Sequence, residues 1–374
     1  TFHEGNARAI AAPDADALSS ILDRLKPDTD VITLGRMTDN RTSARVVKNG
    51  RQDPQKGIIA RTQEHFEHAP GEGWLLLDHD TKDMPADVRA RIEALGGGVE
   101  AIKSIWPDLA DADYLVRPSS SGGVYIEGGS PTAATGFHMF VRLADVRQSK
   151  AALEALTARA WAAGLAWHAV SKSGALLERS IIDAAVAGPE RLVFTAAPLL
   201  GEGVHRRAPE SIIQRGIAVS APTMPDTDLL RLTRRENRQK LKPEAEKAEA
   251  AFTVAQVDKL TAQGVARPDA ERIIRDRVKG GVLADNDTLQ MADGSFARVG
   301  DILDAKFTGP GADNLSLPDP VEGVEYGRTT AAIMWGGSHK TPVLVSHAHG
   351  RLTVYHFARH MSADDVKQKQ TLAE

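Results

Sequence analysis

Two periods of apolar residues alternate along the first 205 positions, and together they predict a fold that mixes strands and helices. Strands are predicted at short apolar runs: 30–37, 56–66, 74–77, the two ends of 112–129, 136–143 and 191–196. Helices are predicted at 14–25, 85–95 and 149–164, where apolar side chains recur every three or four residues. In the first of these helices, Ala17, Ile21 and Leu25 share a face and are expected to be buried.

The remainder of the chain changes character twice. Residues 226–281 are charged and helical, and Pro243 and Pro268 are expected to separate at least three helices. From residue 282 the pattern is one of strands and turns, with a hairpin predicted around the turn ADGS. The fold class is therefore predicted to be α+β. The predicted domains are 1–205, a helical module at 206–281 and a β-rich region at 282–374.

The composition narrows the class of protein. The 374 residues include 46 Lys and Arg and 50 Asp and Glu, a net charge of -4, so nucleic acid would have to be bound by a local basic patch. A dense basic run from Arg231 to Lys242 is one candidate for contact with template phosphates, and a solvated helix face is the alternative. The absence of cysteine excludes thiolate metal sites and suits a reducing, cytoplasmic setting. No apolar stretch approaches the roughly 20 residues of a membrane helix, so no membrane partner is expected.

Candidate chemistry begins where an apolar strand runs into the sequence LLLDHD. Residues two apart in a strand point to the same face, so Asp78 and Asp80 are predicted to project together while His79 faces the other way. Two adjacent carboxylates repel each other unless a cation lies between them. Because hard cations such as Mg²⁺ prefer oxygen ligands, the pair is a candidate metal site. An exposed aspartate-rich turn is the alternative.

Two further segments suit a bound anion. Arg117 comes shortly before a Ser/Gly loop, in which Ser120 and Ser121 precede two glycines whose backbone N–H groups are open to a phosphate. His138 lies in an apolar strand, where it is either a structural residue or a hydrogen-bond donor to a phosphate oxygen. For the loop, a flexible surface segment is the alternative.

A third carboxylate follows the apolar pair Ile181-Ile182. In this interpretation Asp183 completes a metal-binding set, and Arg179 and Arg191, which flank it in sequence, clamp phosphate oxygens. The alternative is a solvated cluster of ion pairs on the surface.

In their order along the chain, LLLDHD, SSSGGVY, GFHMF and ERSIIDAAVAGPERLVF resemble the motifs of the archaeo-eukaryotic primase superfamily. The likeness is to the primase-polymerase domains of bacterial plasmids, phages and integrated elements, and it covers residues 30–205. One position departs from the pattern. The superfamily has a serine two residues before the motif histidine, where this chain has Gly136, and we expect the loop of Ser119 to Ser121 to fold back to that place.

The resemblance implies a catalytic fold with an RRM-like half and a DNA primase or DNA polymerase activity in the replication of a mobile element or phage. It implies that Asp78, Asp80 and Asp183 bind two Mg²⁺ or Mn²⁺ ions. It also implies that His138, with Arg179 or Lys172, holds the triphosphate of an incoming NTP or dNTP. The implied partners are a single-stranded DNA template, a primer strand and a replicative helicase.

Other functions remain open at this point. A metal-dependent nuclease or phosphodiesterase would use the same aspartates without needing the histidine and arginines. A bacterial-type primase also has Asp-x-Asp, but it expects a catalytic glutamate on an earlier strand and a cysteine zinc module, and this chain has no cysteine. A replication initiator would bind nucleic acid without catalysis. His347 and His349 are spaced to share a metal ion, although a structural role is the preferred interpretation.

Overall fold

The chain forms two compact units. Unit 1 comprises Thr1–Ala169 and Glu178–Gln239, and unit 2 comprises Val170–Leu177 and Lys240–Glu374. The computed structural model describes residues 4–81, 83–120, 122–132, 136–207, 210–304, 314–335, 342–348 and 352–358. The three domains expected from composition remain a prediction.

Unit 1 contains most of the strands that the apolar runs predict. Its strands are β1 (Gly5–Arg8), β2 (Arg36–Met37), β3 (Ser43–Val47), β4 (Ile58–Ala60), β5 (Phe66–Glu67), β6 (Gly73–His79), β7 (Tyr114–Pro118), β8 (Val124–Ile126) and β9 (Phe137–Leu143), then β10 (Ala166–Val170), β11 (Leu176–Ser180), β12 (Val204–Arg206) and β13 (Ile212–Gln214). Its helices are α1 (Ala15–Leu22), α2 (Ala86–Ala94), α3 (Gly98–Ile105) and α4 (Ser149–Ala162). The tip of the β10–β11 hairpin belongs to unit 2.

A four-stranded antiparallel sheet forms the centre of unit 1, in the order β13-β7-β9-β6. The chain leaves β6, passes through α2 and α3, and returns as β7, while β9 inserts between these two strands. This is a split β-α-β arrangement. After α4 the chain comes back beside β6, where the Asp183 N–H donates to the Asp78 carbonyl oxygen at 2.9 Å. Segments distant in sequence therefore meet at the end of β6.

The two faces of this sheet are buried in different cores. Leu75 and Leu77 point into a core shared with α2, α3 and α4, whereas Trp74 and Leu76 point into a second core with α1. This alternation follows from the period of two in a strand. His79 continues the first face, is 3% exposed and stacks on Phe137 with ring centroids 4.6 Å apart.

The predicted buried face of α1 is wrong by one position. The helix ends at Leu22 and buries Ala15, Leu18 and Leu22, whereas Ala17 and Ile21 are half-buried. The Asp14 side chain caps the N-terminus by accepting from the Ala17 N–H at 2.8 Å, which starts the helix so that this stripe faces the sheet.

Two predicted strands are mostly irregular. Of residues 30–37 only Arg36–Met37 form a strand, and 191–196 contributes a single bridge from Val193 to Ile32. Gly35 donates its N–H to the Pro189 carbonyl oxygen at 3.0 Å, and a Cβ at this glycine would lie 2.4 Å from the Pro189 side chain. The close approach holds the two segments together without an extended ladder.

Unit 2 joins helices to a second sheet. Helix α5 (Thr227–Ala262) begins in unit 1 and continues into unit 2, and it is followed by α6 (Arg267–Arg275) and a π-helical turn, Asp276–Gly280. Pro243 lies inside α5, so the prediction that it ends a helix is wrong. Proline removes one hydrogen bond, but the flanking Lys, Glu and Ala residues favour the helix strongly enough to continue it.

The remaining elements form the β-rich part of unit 2. They are β14 (Val282–Ala284), β15 (Thr288–Gln290), β16 (Phe296–Arg298), α7 (Val299–Asp304), β17 (Asn314–Leu317), β18 (Ala331–Met334), β19 (Val343–Ser346) and β20 (Thr353–Ala358). The predicted hairpin around ADGS is confirmed as the β15–β16 pair. A five-stranded sheet has the order β14-β20-β19-β18-β17.

A buried carboxylate organises the loop between β17 and β18. Asp319 is 5% exposed, and its Oδ1 accepts from the N–H groups of Val321 and Glu322 at 2.8 and 2.9 Å. Its Oδ2 accepts from the hydroxyl of fully buried Ser346 at 2.6 Å. Three donors therefore depend on one side chain.

Asp319→Ala is expected to destabilise unit 2 by about 3 kcal/mol, because buried donors left without an acceptor each cost about 1–3 kcal/mol. Asp293→Ala is the matched control, since the exposed Asp293 accepts from the Ser295 N–H and hydroxyl in a similar turn. Hydrogen exchange of peptides from β18 and β19 would measure the difference. Equal protection in the two variants would contradict the stabilising role of Asp319.

Gly98→Ala is expected to destabilise unit 1 by about 1–2 kcal/mol, since buried rings must shift to admit a methyl group. A Cβ at Gly98 would lie 2.8 Å from Phe137 Cε1 and 2.9 Å from His79 Nε2. Urea denaturation followed by circular dichroism would test this. Gly201→Ala is the control because its Cβ would meet nothing within 4 Å, and an equal loss in both variants would refute the packing argument.

Candidate active site

The end of β6 presents the first candidate residues. Asp78 follows Trp74 and Leu76 on the face of the sheet that packs against α1, whereas His79 is buried on the opposite face. The predicted direction of His79 is confirmed. Its Nδ1 lies 2.7 Å from the Ile181 carbonyl oxygen, so this ring fixes the segment that leads to Asp183.

Three polar side chains line up across neighbouring strands. In the antiparallel register Asp78 on β6 lies opposite His138 on β9, and His138 lies opposite Arg117 on β7. Directly opposed residues project to the same face. The His138 Nε2 is 3.6 Å from the Asp78 Oδ1. The sheet therefore places a carboxylate, an imidazole and a guanidinium in one row.

Asp183 brings a third carboxylate to this row. Its N–H is bonded to the Asp78 backbone, and its own carboxylate accepts from the Ala185 N–H at 2.8 Å. Burial, then the charges of Asp183 and Asp80, raise the pKa of Asp78 to about 6. Asp183 and Asp80 thus lie close enough to Asp78 to repel its negative charge.

The donor set of these carboxylates fits a hard divalent cation. All three side chains offer oxygen ligands, and a cation among them would relieve the repulsion that disfavours ionised Asp78. Across the described ranges, no three His, Asp or Glu side chains are already gathered as a complete metal site.

Positive charge lies on the other side of His138. Arg117 donates from Nη1 to the Asp23 carboxylate at 2.6 Å and from Nη2 to the Leu22 carbonyl oxygen at 3.4 Å, at the end of α1. The pKa of Arg206 is lowered by burial and by the charge of Arg117. The charge of Arg117 therefore reaches both the imidazole of His138 and the guanidinium of Arg206.

His138 is neutral at pH 7 in this environment, because burial and then the charge of Arg117 lower the pKa of its imidazole. A neutral imidazole has one N–H donor and one acceptor nitrogen. The charge of the side chains in this row thus changes from negative at Asp78 on β6, through neutral at His138 on β9, to positive at Arg117 on β7.

The sequence pattern did not identify Arg206, and it identified Arg117 only as a charge beside the Ser/Gly loop. Arg206 lies on β12 and donates from Nε to the Gly122 carbonyl oxygen at 3.0 Å. No local pattern marks it, since its position depends on the pairing of β12 with β8. Arg117 was recognisable only as a charge at the end of a strand.

Ser119 follows the last residue of β7 and lies beside Gly136 because the β7–β9 ladder continues to this pair. That the rest of the Ser/Gly loop folds back to the same place remains a prediction. Ser119 donates its N–H to the Gly136 carbonyl oxygen at 3.0 Å, and a Cβ at Gly136 would lie 3.8 Å from the Ser119 hydroxyl oxygen. Ser119 is therefore the serine beside the position where the superfamily has one. Ser120 is half-buried in the loop and remains a prediction, and Ser121 lies outside the described residues.

The other predicted phosphate ligands occupy different places. Arg191 donates from Nη1 to the Ala185 carbonyl oxygen at 2.8 Å, so it supports the turn after Asp183. Arg179 is exposed on β11. Lys172 lies in the hairpin tip that belongs to unit 2. None of these three shares the strand positions of Asp78, His138 and Arg117.

Part of the basic run in α5 is bound within unit 1. Arg234 pairs with Glu178, and the His168 N–H donates to the Asn237 side chain at 3.0 Å. Arg238 donates from Nε to His168 Nε2 at 3.2 Å. Contact with a template is therefore restricted to outward side chains such as Arg231, whose side chain is 80% exposed.

The predicted histidine pair in unit 2 is only partly described. His347 is exposed and donates its N–H to the Thr330 carbonyl oxygen at 2.9 Å. His349 lies outside the described residues.

No protein-family model, curated protein or solved structure matches the chain. Within the described residues, no helix is both long enough and apolar enough to cross a membrane.

Asp78→Asn is expected to stabilise the metal-free protein at pH 7.5 but not at pH 4. The folded-state pKa near 6 lies above the ordinary value of 3.8, so the stability contributed by the protonated carboxyl is complete below pH 3.8 and lost as pH rises through 6. Because the Asp78 side chain is partly exposed, we expect Asp78→Asn to raise the free energy of unfolding at pH 7.5 by only about 1 kcal/mol. Thermal unfolding in a chelator at both pH values measures it.

Asp28→Asn serves as the control, because Asp28 is exposed outside the site. A gain for Asp78→Asn that is equal at the two pH values would show that ionic repulsion is not its cause.

Proposed function

We propose that the chain is a template-dependent nucleotidyltransferase, a DNA primase or primase-polymerase that uses two divalent cations. The observation that carries the proposal is the division of charge across the sheet. Asp78 lies on one side of neutral His138 and Arg117 on the other, and Arg117 is close enough to Arg206 for its charge to lower the pKa of Arg206. A metal-bound nucleoside triphosphate has the complementary charge, since its cations suit the carboxylates and its phosphate oxygens suit the donors.

The topology of unit 1 supports this proposal. The split β-α-β arrangement of β6, β7 and β9, with a later segment beside β6, is the connectivity expected of an RRM-like half. Among the residues to which the resemblance to the archaeo-eukaryotic primase superfamily gives a role, Asp78 lies on β6 and His138 on the neighbouring β9. Fold alone does not specify function, so the side-chain row remains the stronger support.

Each group has a role in the proposed reaction. The 3′-hydroxyl oxygen of a primer forms a bond to the α-phosphorus of the incoming nucleotide, and the bond to pyrophosphate breaks. Asp78, Asp80 and Asp183 would hold Mg²⁺ or Mn²⁺, which supplies charge neutralisation at the phosphates when bound. His138 donates a hydrogen bond to a phosphate oxygen, and Arg117 and Arg206 attract the triphosphate. Positioning and charge then provide most of the rate enhancement.

A metal-dependent nuclease is the second candidate, since it would use the same carboxylates. The guanidinium of Arg117 beside a neutral imidazole favours synthesis, because hydrolysis of a phosphodiester needs no triphosphate site. A non-catalytic replication initiator has no need for repelling carboxylates at the end of β6. A DNA template, a primer and a replicative helicase remain the proposed partners.

The double variant Asp78→Ala/Asp80→Ala is expected to lose nucleotide incorporation by at least about a hundredfold. Mutation of residues that only hydrogen-bond to metal ligands already lowers metal affinity or activity about 10–100-fold. Asp78 and Asp80 are the proposed ligands themselves, so a larger loss is expected. The activity is measured as incorporation of labelled NTPs or dNTPs on single-stranded DNA. The reactions contain Mg²⁺ or Mn²⁺ and are run with and without a primer.

Asp28→Ala/Asp30→Ala is the matched control, because these two aspartates have the same spacing outside the site, Asp28 being exposed and Asp30 half-buried. Incorporation that survives in Asp78→Ala/Asp80→Ala would refute the metal-site assignment. Metal-dependent degradation of the template without synthesis would favour the nuclease.

A further inference from the structure

The small sheet of β1, β3 and β4 differs in charge from the rest of the chain. Residues 36–61 contain seven Arg or Lys and two Asp or Glu, whereas the whole chain has a net charge of -4. The strand order is β1-β3-β4, separate from the sheet that carries Asp78. A local excess of positive charge of this kind attracts polyanions.

The strand register places cations on the outer face. Arg8 lies opposite Ser43, and both are exposed. Arg45 is two residues after Ser43 and so shares its face, whereas the intervening Ala44 packs into the core beneath the sheet. The outer face therefore presents hydrogen-bond donors in two adjacent strands.

The loop after β3 extends this surface. The Arg51 N–H donates to the Lys48 carbonyl oxygen at 3.1 Å, which brings the two cations into one turn. Gly50 has a φ of 90°, in the left-handed region that this turn requires, and a Cβ there would meet nothing within 4 Å. The turn is thus open to a ligand on the side of Gly50.

These cations are held only weakly by the protein. Arg45 and Arg51 both lie near Glu4, at 3.4 and 3.7 Å, and their side chains are 62% and 72% exposed. Exposed ion pairs contribute little free energy. A phosphate can therefore replace Glu4, and guanidinium geometry suits bidentate contact with phosphate oxygens.

The surroundings disfavour a membrane or an apolar protein partner. Among the described residues from 4 to 94, Ile10 is the one large apolar side chain that is exposed. Attachment to a lipid surface normally combines basic residues with several exposed apolar ones. With a single exposed apolar side chain nearby, the surface offers mainly charge and hydrogen bonding, as sequence-independent contact with a nucleic-acid backbone requires.

We propose that the N-terminal basic face, defined as Arg8, Arg45, Lys48 and Arg51, binds the phosphodiester backbone of a single-stranded nucleic acid without reading its sequence. That this strand is the template rests on the proposed function, whereas the binding itself does not.

The test measures binding of a labelled 20-mer of thymidylate by fluorescence anisotropy, in EDTA and without nucleotides, over a range of KCl concentrations. Arg45→Ala/Lys48→Ala/Arg51→Ala is expected to reduce the slope of log affinity against log salt by about 2, since each lost phosphate contact on a single strand contributes about 0.7. Affinity at 0.1 M salt should fall about tenfold or more.

Arg147→Ala/Lys150→Ala/Arg215→Ala removes the same charge from exposed positions elsewhere in unit 1 and should leave the slope unchanged. Arg45→Lys/Arg51→Lys keeps the charge and should retain the wild-type slope. Circular dichroism verifies that every variant is folded. If the Ala variant is not, Arg45→Gln/Lys48→Gln/Arg51→Gln, which removes the same charges but keeps long side chains, replaces it with the same expected loss of slope.

Equal loss in both triple variants, or no binding by the wild-type protein, would overturn the proposal. Binding to phosphatidylserine vesicles that depends on these residues, without binding to the oligonucleotide, would also overturn it. Primer extension separates the two proposals. If the Ala variant loses salt dependence but the wild-type protein synthesises nothing, the binding surface is supported and the polymerase activity is rejected. If the wild-type protein synthesises DNA but the Ala variant keeps its salt dependence, the polymerase activity is supported and the binding surface is rejected.

Discussion

The register between β6 and β9 is the constraint on which the candidate site depends. It sets Asp78 opposite His138, and the next ladder sets His138 opposite Arg117. A slip of one residue would move every side chain of β6 to the other face. Burial on both faces prevents such a slip, because Leu75 and Leu77 fill one core while Trp74 and Leu76 fill the other. The same packing that stabilises the sheet therefore aligns its polar end.

The site brings together charges that the fold neutralises only in part. Asp183 is fastened to the Asp78 backbone, which keeps two carboxylates together although burial and the charges of Asp183 and Asp80 raise the pKa of Asp78. Arg117 pairs with Asp23, and burial together with the charge of Arg117 lowers the pKa of Arg206. Like charges held in proximity are unfavourable in the free protein and become favourable when counter-charges bind. The N-terminal basic face follows the same logic on a more exposed surface, where Glu4 is the counterion of both Arg45 and Arg51.

The pattern of apolar residues predicted the structure correctly where buried and exposed side chains alternate regularly along an element. The strand at Asp78, the buried direction of His79 and the strand at His138 follow from a period of two. The same pattern failed to predict the structure where a cap, a flanking sequence or a neighbouring element determines which residues are buried or helical. The buried stripe of α1 depends on the cap at Asp14, and Pro243 stays inside α5 although proline usually ends helices. Of residues 191–196, only Val193 pairs with a distant segment, so an apolar run was mistaken for a full strand.

The amino-acid pattern alone was enough to predict the mixed α+β class, the chief strands of unit 1 and the residue types of the candidate site, since strand periodicity and carboxylate chemistry are local properties. Which groups meet is a property of the tertiary structure. Arg206 comes close to Arg117 on β12, which pairs with β8, Ser119 lies beside Gly136 through the pairing of β7 with β9, and Arg191 supports a turn instead of facing the row. These outcomes depend on contacts between residues far apart in the chain, and such contacts are decided only when the whole core packs.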